Sequence, residues 1–404
     1  MGKMIRGRFL VILLLGLGIL LAGSSQAKAQ SADVVENVRV GHDFGEEIRF
    51  TITVNSSDPV EEVLVLFRDV REDNTRVYPM AETEGEYFYR YDASANLLNP
   101  FAQLSISFQV RLSDGTEFTS QKFSYIYSDN RFTWEMREDG NLRVHWTQGD
   151  ETFGQAALDA ARNGFERISQ FFPANGEEMI DIYIYASPAD LQNALFMGGQ
   201  SWVAGHADPA LGLVFVAVAP GSQERILMQQ QIPHELAHVL LYRYVGEGYQ
   251  RLPNWLLEGI AALAELYPNP DHALALERAV SQHTLIPLND LCGPFPRDAS
   301  QAFLSYAESA SFTRFLRETG GSTRLDALIR AYADGLSCEA GAVQVYGQTL
   351  DNLDVRWQEE TLGANMLNLF LRKSAPYLIL MAIFVIYPLF QFFASNPNRE
   401  QNDR

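Results

Sequence analysis

Two histidines four residues apart, with a glutamate directly after the first, constrain the fold of this chain more than any other feature. On a helix, His234 and His238 lie one above the other on the same face, and Glu235 points about a quarter-turn away. The residues after Glu235 are rich in helix formers, Pro233 suits a first-turn position or a kink, and Gly246 is expected to end the helix. The spacing therefore predicts a helix that presents two imidazoles to one metal ion.

A second carboxylate, Glu258, follows on another predicted helix with a long apolar face. Two imidazoles and one carboxylate form a ligand set that zinc accepts, with a fourth position open for water. Zinc lowers the pKa of that water, and Glu235 can accept its proton as the water attacks a carbonyl. We therefore predict a Zn²⁺ site with His234, His238 and Glu258 as metal ligands and Glu235 as catalytic base in peptide-bond hydrolysis. The alternative is a helix whose two histidines face solvent or are satisfied in a core.

The segments His-Glu-Leu-Ala-His at 234–238 and Leu-Pro-Asn-Trp-Leu-Leu-Glu-Gly at 252–259 resemble the gluzincin metallopeptidases, especially the bacterial peptidase MA-like group. The resemblance covers about residues 130–360. It implies an α+β metallopeptidase domain, a Zn²⁺ cofactor and a peptide or protein substrate. The residues that match the family's three zinc ligands and its catalytic base are His234, His238, Glu258 and Glu235.

Four other residues are weaker candidates for the same site. Tyr306 follows on a later predicted helix, eight residues before Arg314, and its hydroxyl could donate to the tetrahedral oxyanion as a second catalytic group. The alternative is an ordinary packed tyrosine. His206 could line the cleft or be structural. Glu265 could orient a ligand histidine or be a solvated carboxylate.

The elements around the motif predict a mixed domain over residues 128–373. Strands at 142–146, 180–185 and 213–218 and helices at 156–172 and 188–196 precede the metal helix, and helices at 273–282, 301–319, 324–333 and 355–372 follow it. In gluzincin-like folds the last strand before the metal helix borders the cleft. We therefore expect Leu213 to Val218 to hold an extended substrate through backbone hydrogen bonds.

Residues 30–127 are expected to fold separately as an all-β immunoglobulin-like sandwich. Apolar residues alternate with polar ones from Ile48 to Val54 and from Leu104 to Leu112, with turn residues between the runs. The domain could bind a partner, act as a spacer, or serve only as scaffolding.

Both ends of the chain carry apolar segments. Residues 1–29 have basic residues, an apolar run and small residues near Ala29, as in a secretory signal peptide; an uncleaved anchor is the alternative. The uncharged run from Tyr377 to Phe393 predicts a C-terminal transmembrane helix at 374–394, with a buried helix as the alternative. The chain is thus expected to be a single-pass cell-membrane protein with an extracytoplasmic catalytic domain and a cytoplasmic tail at 395–404.

Charge and cysteine content agree with export. The formal net charge of −19 becomes −23 when the signal peptide and its four basic residues are removed, which disfavours nucleic acid as a partner. The two cysteines, Cys292 and Cys338, are candidates for a disulfide or for two buried thiols. A non-catalytic binding protein and a structural envelope protein are the alternatives to a peptidase, and the sequence leaves substrate identity, cleavage position and oligomeric state open.

Overall fold

The computed structural model describes residues 34–174, 177–195 and 205–363. The chain divides into two compact units, with the division between Asn130 and Arg131. The predicted signal peptide (1–29), transmembrane helix (374–394) and tail (395–404) lie outside the described residues. Within the described ranges, no helix combines the length and apolarity needed to cross a membrane.

The first unit consists of two antiparallel sheets, and it confirms the predicted all-β region. Its strands are β1 (Val35–Asp43), β2 (Glu47–Val54), β3 (Val60–Asp69), β4 (Arg76–Pro79), β5 (Ala81–Thr83), β6 (Glu86–Asp92), β7 (Ala102–Leu112), β8 (Glu117–Thr119) and β9 (Phe123–Tyr127). One sheet has the order β1-β2-β6-β5, and the other has β4-β3-β7 with β8 and β9 both paired to β7. This order corresponds to the ABED and CFG sheets of an immunoglobulin sandwich, with β4 added beside β3.

Alternate residues of these strands form the core between the two sheets. Along β3, Val63, Val65 and Phe67 are buried, as the period of two requires. Phe67 packs against Phe50 of β2 and edge-on against Tyr91 of β6, each at 5.0 Å between ring centroids. These aromatic contacts join the two sheets.

The second unit begins with a five-stranded mixed sheet and continues as packed helices. Its elements are β10 (Glu135–Asp139), β11 (Leu142–Trp146), α1 (Glu151–Ile168), β12 (Ile180–Tyr185), α2 (Pro188–Ala194), β13 (Gly205–Asp208), β14 (Leu213–Ala217), α3 (Glu224–Val245), α4 (Asn254–Ala264), α5 (Asp271–Gln282), α6 (Ala299–Ala333), α7 (Cys338–Tyr346) and α8 (Leu350–Glu360). Short 3₁₀ turns at Gly246–Arg251 and Asp290–Cys292 precede α4 and α6. The sheet order is β10-β11-β12-β14-β13, with β11, β12 and β14 parallel and both outer strands antiparallel to their neighbours.

The expectation that Leu213 to Val218 holds an extended substrate through backbone hydrogen bonds is wrong, because both edges of this strand are already paired. This segment forms β14, which pairs with β12 on one side and β13 on the other, and all five residues of the strand are buried. A continuous apolar run is typical of a strand that is buried on both faces, as β14 is. The outer position belongs to β13, whose sequence Gly-His-Ala-Asp carries no strand periodicity.

The helices after the motif agree with the prediction at one break and differ from it elsewhere. The predicted helices at 301–319 and 324–333 both lie within α6, which is interrupted between them at Gly321, where φ is 77°. The predicted final helix at 355–372 begins earlier, as α8, and α7 was not predicted. Cys292 and Cys338 form a disulfide, as predicted, which joins the turn before α6 to the start of α7.

Candidate metal centre

Two helices bring the three predicted ligands together. His234 and His238 lie on α3 with ring centroids 5.4 Å apart, and Glu258 reaches them from α4. Glu258 Oε2 lies 3.3 Å from His234 Nε2 and 3.8 Å from His238 Nε2. In a tetrahedral site with zinc bonds of about 2.0–2.1 Å, neighbouring ligand atoms stand about 3.3 Å apart. The residues therefore fit zinc both in chemistry and in spacing.

Close packing of α4 against α6 directs Glu258 toward the histidines. Gly259 permits this approach, because a Cβ there would lie 1.9 Å from Thr313 Oγ1 and 2.6 Å from the Ser309 carbonyl oxygen. Trp255, one turn earlier, is fully buried and packs edge-on against Phe312 at 4.9 Å. Its indole N–H points to Cys338 Sγ at 3.3 Å, so α4 is also held at the disulfide.

Each ligand histidine has a partner on its other ring nitrogen. Glu265 Oε1 lies 3.0 Å from His234 Nδ1, which is the supporting position considered for this residue from sequence. The Tyr249 hydroxyl lies 3.1 Å from His238 Nδ1. When both Nδ1 atoms donate, each Nε2 lone pair can bind a metal ion once Nε2 carries no proton. Sequence reasoning missed Tyr249, because it lies in the turn after α3, where no helical spacing relates it to the histidines.

Burial and charge set the protonation of these groups. Burial lowers the pKa of His238 to about 4, although Glu258 opposes this shift, so His238 is neutral near pH 7, as a ligand must be. Burial also disfavours the charged form of His234, but hydrogen bonds to Glu258 and Glu265 outweigh it and hold its pKa well above 6.5. These carboxylates thus stabilise positive charge where a metal ion would sit.

Glu235 lies beside the ligands and next to the edge strand β13. A Cβ added to Gly205 of β13 would be 2.4 Å from Glu235 Oε1, so the glycine leaves room for this carboxylate. Burial raises the pKa of Glu235 to about 7; Glu258 and Glu265 raise it further, while His234 lowers it. A carboxylate with a pKa near neutrality suits a general base.

A cavity of about 400 Å³ opens next to His234 and Glu235. Tyr306 lines it, and Phe295 packs edge-on against the Tyr306 ring at 5.3 Å. Burial and the nearby Glu258 and Glu235 raise the pKa of Tyr306, so its hydroxyl keeps the proton that a donor needs.

Glu265 lines this cavity together with Tyr306, whereas Arg314 and His206 lie outside its lining. Arg314 is exposed and lines an adjoining hollow that shares Glu265 and His272 with the first cavity. His206 is exposed on β13 and stacks against Phe215 at 6.5 Å. Of the four secondary candidates, Glu265 alone touches a ligand histidine among the contacts of the described residues.

The chain is similar to several known proteins. The chain is similar to an M1 zinc metallopeptidase from Deinococcus radiodurans, with 11% identity, coverage of 80% of this chain and 93% of that one, and a TM-score of 0.37. It is also similar to an aminopeptidase N family protein from Idiomarina loihiensis, with 9% identity, coverage of 84% and 75%, and a TM-score of 0.32. A search of curated proteins gave no match. A family model described as the Peptidase MA superfamily matches residues 160–363, about half of the sequence. The chain therefore belongs to the Peptidase MA superfamily.

Proposed function

We propose that this chain is a membrane-anchored, extracytoplasmic zinc-dependent peptidase that hydrolyses peptide bonds through a metal-activated water. The observation that carries the proposal is the convergence of His234, His238 and Glu258 within 4.8 Å of one another, with Glu235 beside them. Membership in a peptidase superfamily supports the same reaction class.

The residues divide the chemistry between binding and proton transfer. His234, His238 and Glu258 would hold the zinc, which when bound supplies a Lewis acid and lowers the pKa of a water molecule. Glu235 accepts the proton of the attacking water and returns it to the departing amine nitrogen. The Tyr306 hydroxyl donates to the oxyanion that develops on the carbonyl oxygen.

The edge strand β13 is the better candidate for binding an extended substrate. It is the last strand of its sheet among the described residues, and its Gly205 lies against Glu235. A peptide that added to this edge through backbone hydrogen bonds would pass beside the base and the cavity. We therefore expect an extended substrate to bind at β13 rather than at β14.

The cellular location rests on the two apolar terminal segments. Export by residues 1–29 and anchoring by residues 374–394 would place the metal centre outside the cytoplasm and leave residues 395–404 inside. The disulfide between Cys292 and Cys338 supports an oxidising compartment.

Four variants test the catalytic assignment. Glu235→Gln keeps the size of the side chain but removes the proton acceptor, so zinc should stay near one per chain while peptide hydrolysis falls by about 100-fold or more. His234→Ala, His238→Ala and Glu258→Ala should lose zinc and activity together. Zinc by atomic emission, measured beside cleavage of a peptide library, compares the four variants. Full activity in Glu235→Gln, or a wild-type protein that binds no zinc, would instead support the non-catalytic binding or structural alternatives.

A further inference from the structure

Pro233, the residue directly before His234, changes the backbone hydrogen bonding of α3. Pro233 is the tenth residue of α3, well inside the helix rather than in its first turn. A proline there has no N–H to donate to the carbonyl four residues earlier, and its ring pushes that carbonyl outward. The carbonyl concerned belongs to Gln229.

The carbonyl of Gln229 has a partner outside its helix. The backbone N–H of Leu266 donates to it at 2.9 Å. Leu266 follows Glu265, at which the chain leaves α4 with an extended backbone (φ −53°, ψ 126°). The proline therefore turns a helix carbonyl into an acceptor for the segment that carries Glu265.

These contacts form a closed loop around the first ligand. The Glu265 carboxylate binds His234 Nδ1, His234 follows Pro233, and the carbonyl released by Pro233 binds the residue after Glu265. The last turn of α4 is also held by Arg167, whose Nε donates to the Leu263 carbonyl at 2.7 Å. On its outer side, Pro233 packs against Gly164 of α1, where a Cβ would lie only 2.8 Å from the proline Cβ.

We propose that Pro233 is a positioning residue for the metal centre: by releasing the Gln229 carbonyl to Leu266, it holds Glu265 on His234 and so strengthens zinc binding. This inference rests on the zinc site of the proposed function. The Glu265 contact fixes the His234 tautomer that leaves Nε2 free, and loss of such outer partners weakens metal binding by about 10- to 100-fold.

The test is Pro233→Ala, which restores an N–H able to bind the Gln229 carbonyl. We expect the zinc dissociation constant, measured by competition with a chromophoric chelator, to rise about 10-fold. The melting temperature of the metal-free protein should not fall in parallel, because the change adds a helix hydrogen bond. Pro188→Ala is the matched control, since Pro188 occupies the first turn of α2, where its missing N–H deprives no helix carbonyl.

A double variant shows whether Pro233 acts through Glu265. In a Glu265→Ala background, Pro233→Ala should change the zinc dissociation constant by less than about twofold, because the contact it supports is already gone. An equal loss of affinity in both backgrounds, or wild-type affinity in Pro233→Ala, would overturn the proposal.

Amide hydrogen exchange in the wild-type protein tests the bond even if the variant fails to fold. Leu266 lies outside every helix and strand, yet its amide should exchange slowly because of the Gln229 carbonyl. Fast exchange at Leu266 would overturn the proposal. A wild-type protein that protects this amide but binds no zinc would instead show that the proposed function has failed.

Discussion

The metal centre depends on a glycine that permits close packing as well as on its charged groups. Gly205 of β13 leaves space that the Glu235 carboxylate occupies, since a Cβ would meet Oε1 at 2.4 Å, well inside van der Waals contact. The three ligands belong to α3 and α4 and do not depend on this space. The position of the base and the binding of zinc can therefore be changed separately.

Gly205→Ala should displace the Glu235 carboxylate and lower kcat by about 10-fold or more, with zinc still near one per chain. Steady-state kinetics beside metal analysis measures both quantities. Gly41→Ala is the control, because Gly41 also lies on an outer strand, β1, but its added Cβ would meet nothing closer than 3.9 Å. Equal kcat values for the Gly205 variant and wild type would show that the base does not need this glycine.

Residues related by helical spacing could be predicted, and residues related only by tertiary packing could not. His234 and His238 share a face at any position of the helix, so their pairing follows from the sequence alone. Tyr249 and Gly205 reach the site from a turn and from an edge strand, whose positions depend on how other elements pack. Pro233 was expected in a first turn or at a kink, but its effect depends on Leu266, which is distant in sequence.

For helices and strands, too, strong local patterns could be predicted from the sequence, whereas their packing partners could not. The apolar run of β14 predicted a buried strand correctly, whereas the resemblance to gluzincin-like folds suggested a free edge that β13 in fact occupies. That strand, β13, has four residues without periodicity and exists as a strand because β14 offers it an edge. The helical pattern did place a break between residues 319 and 324, and the positive φ of Gly321 forms that break within α6.

Within α6, Glu308 is a fully buried carboxyl that joins the helix to the segment before it. Its Oε1 accepts the Ile286 N–H at 3.0 Å, and its Oε2 has no hydrogen-bond partner in the described part of the chain. Burial raises its pKa to about 8; the Ile286 N–H lowers it, and the nearby Asp354 raises it further. In the folded protein Glu308 is thus protonated at neutral pH, whereas in the unfolded chain it is ionised.

This difference predicts a pH-dependent loss of stability. Because the folded pKa lies above the unfolded value of about 4.5, wild-type protein should lose unfolding free energy relative to Glu308→Gln as pH rises from about 4.5 to about 8. Each unit of pKa shift corresponds to about 1.4 kcal/mol. Urea unfolding of both proteins between pH 5 and 9 measures the difference, and Glu318→Gln, an exposed site on the same helix, is the control. Parallel stability curves for wild type and Glu308→Gln would contradict the assignment.

At the scale of the whole molecule, the change in periodicity marks the two units. Alternating strands give way to mixed strands and helices after about residue 127 in the sequence, and the structure divides the chain between Asn130 and Arg131. Each unit has its own buried core, the first built from aromatic and branched residues between two sheets and the second from helices packed on a mixed sheet. The strand order of the first unit and the presence of α7 in the second required the three-dimensional structure.

The remaining prediction concerns how the whole chain is placed in a membrane. An exported N-terminus followed by one later span, at 374–394, leaves residues 30–373 outside the cytoplasm, since a single crossing puts the two flanking parts on opposite sides. Positive residues do not decide the orientation, because Arg372 and Lys373 before the span are balanced by Arg399 and Arg404 after it. Export directed by residues 1–29 must therefore set the orientation.

Protease added to intact spheroplasts tests this orientation. It should remove the ectodomain and leave a short membrane fragment that retains a C-terminal epitope tag. A variant without residues 1–29 is the control, because without the signal its main domains should stay inside and resist the protease until the cells are lysed. Full protection of the wild-type chain in intact spheroplasts would reject an extracytoplasmic metal centre, while release of the tag by external protease would place the C-terminal tail outside as well.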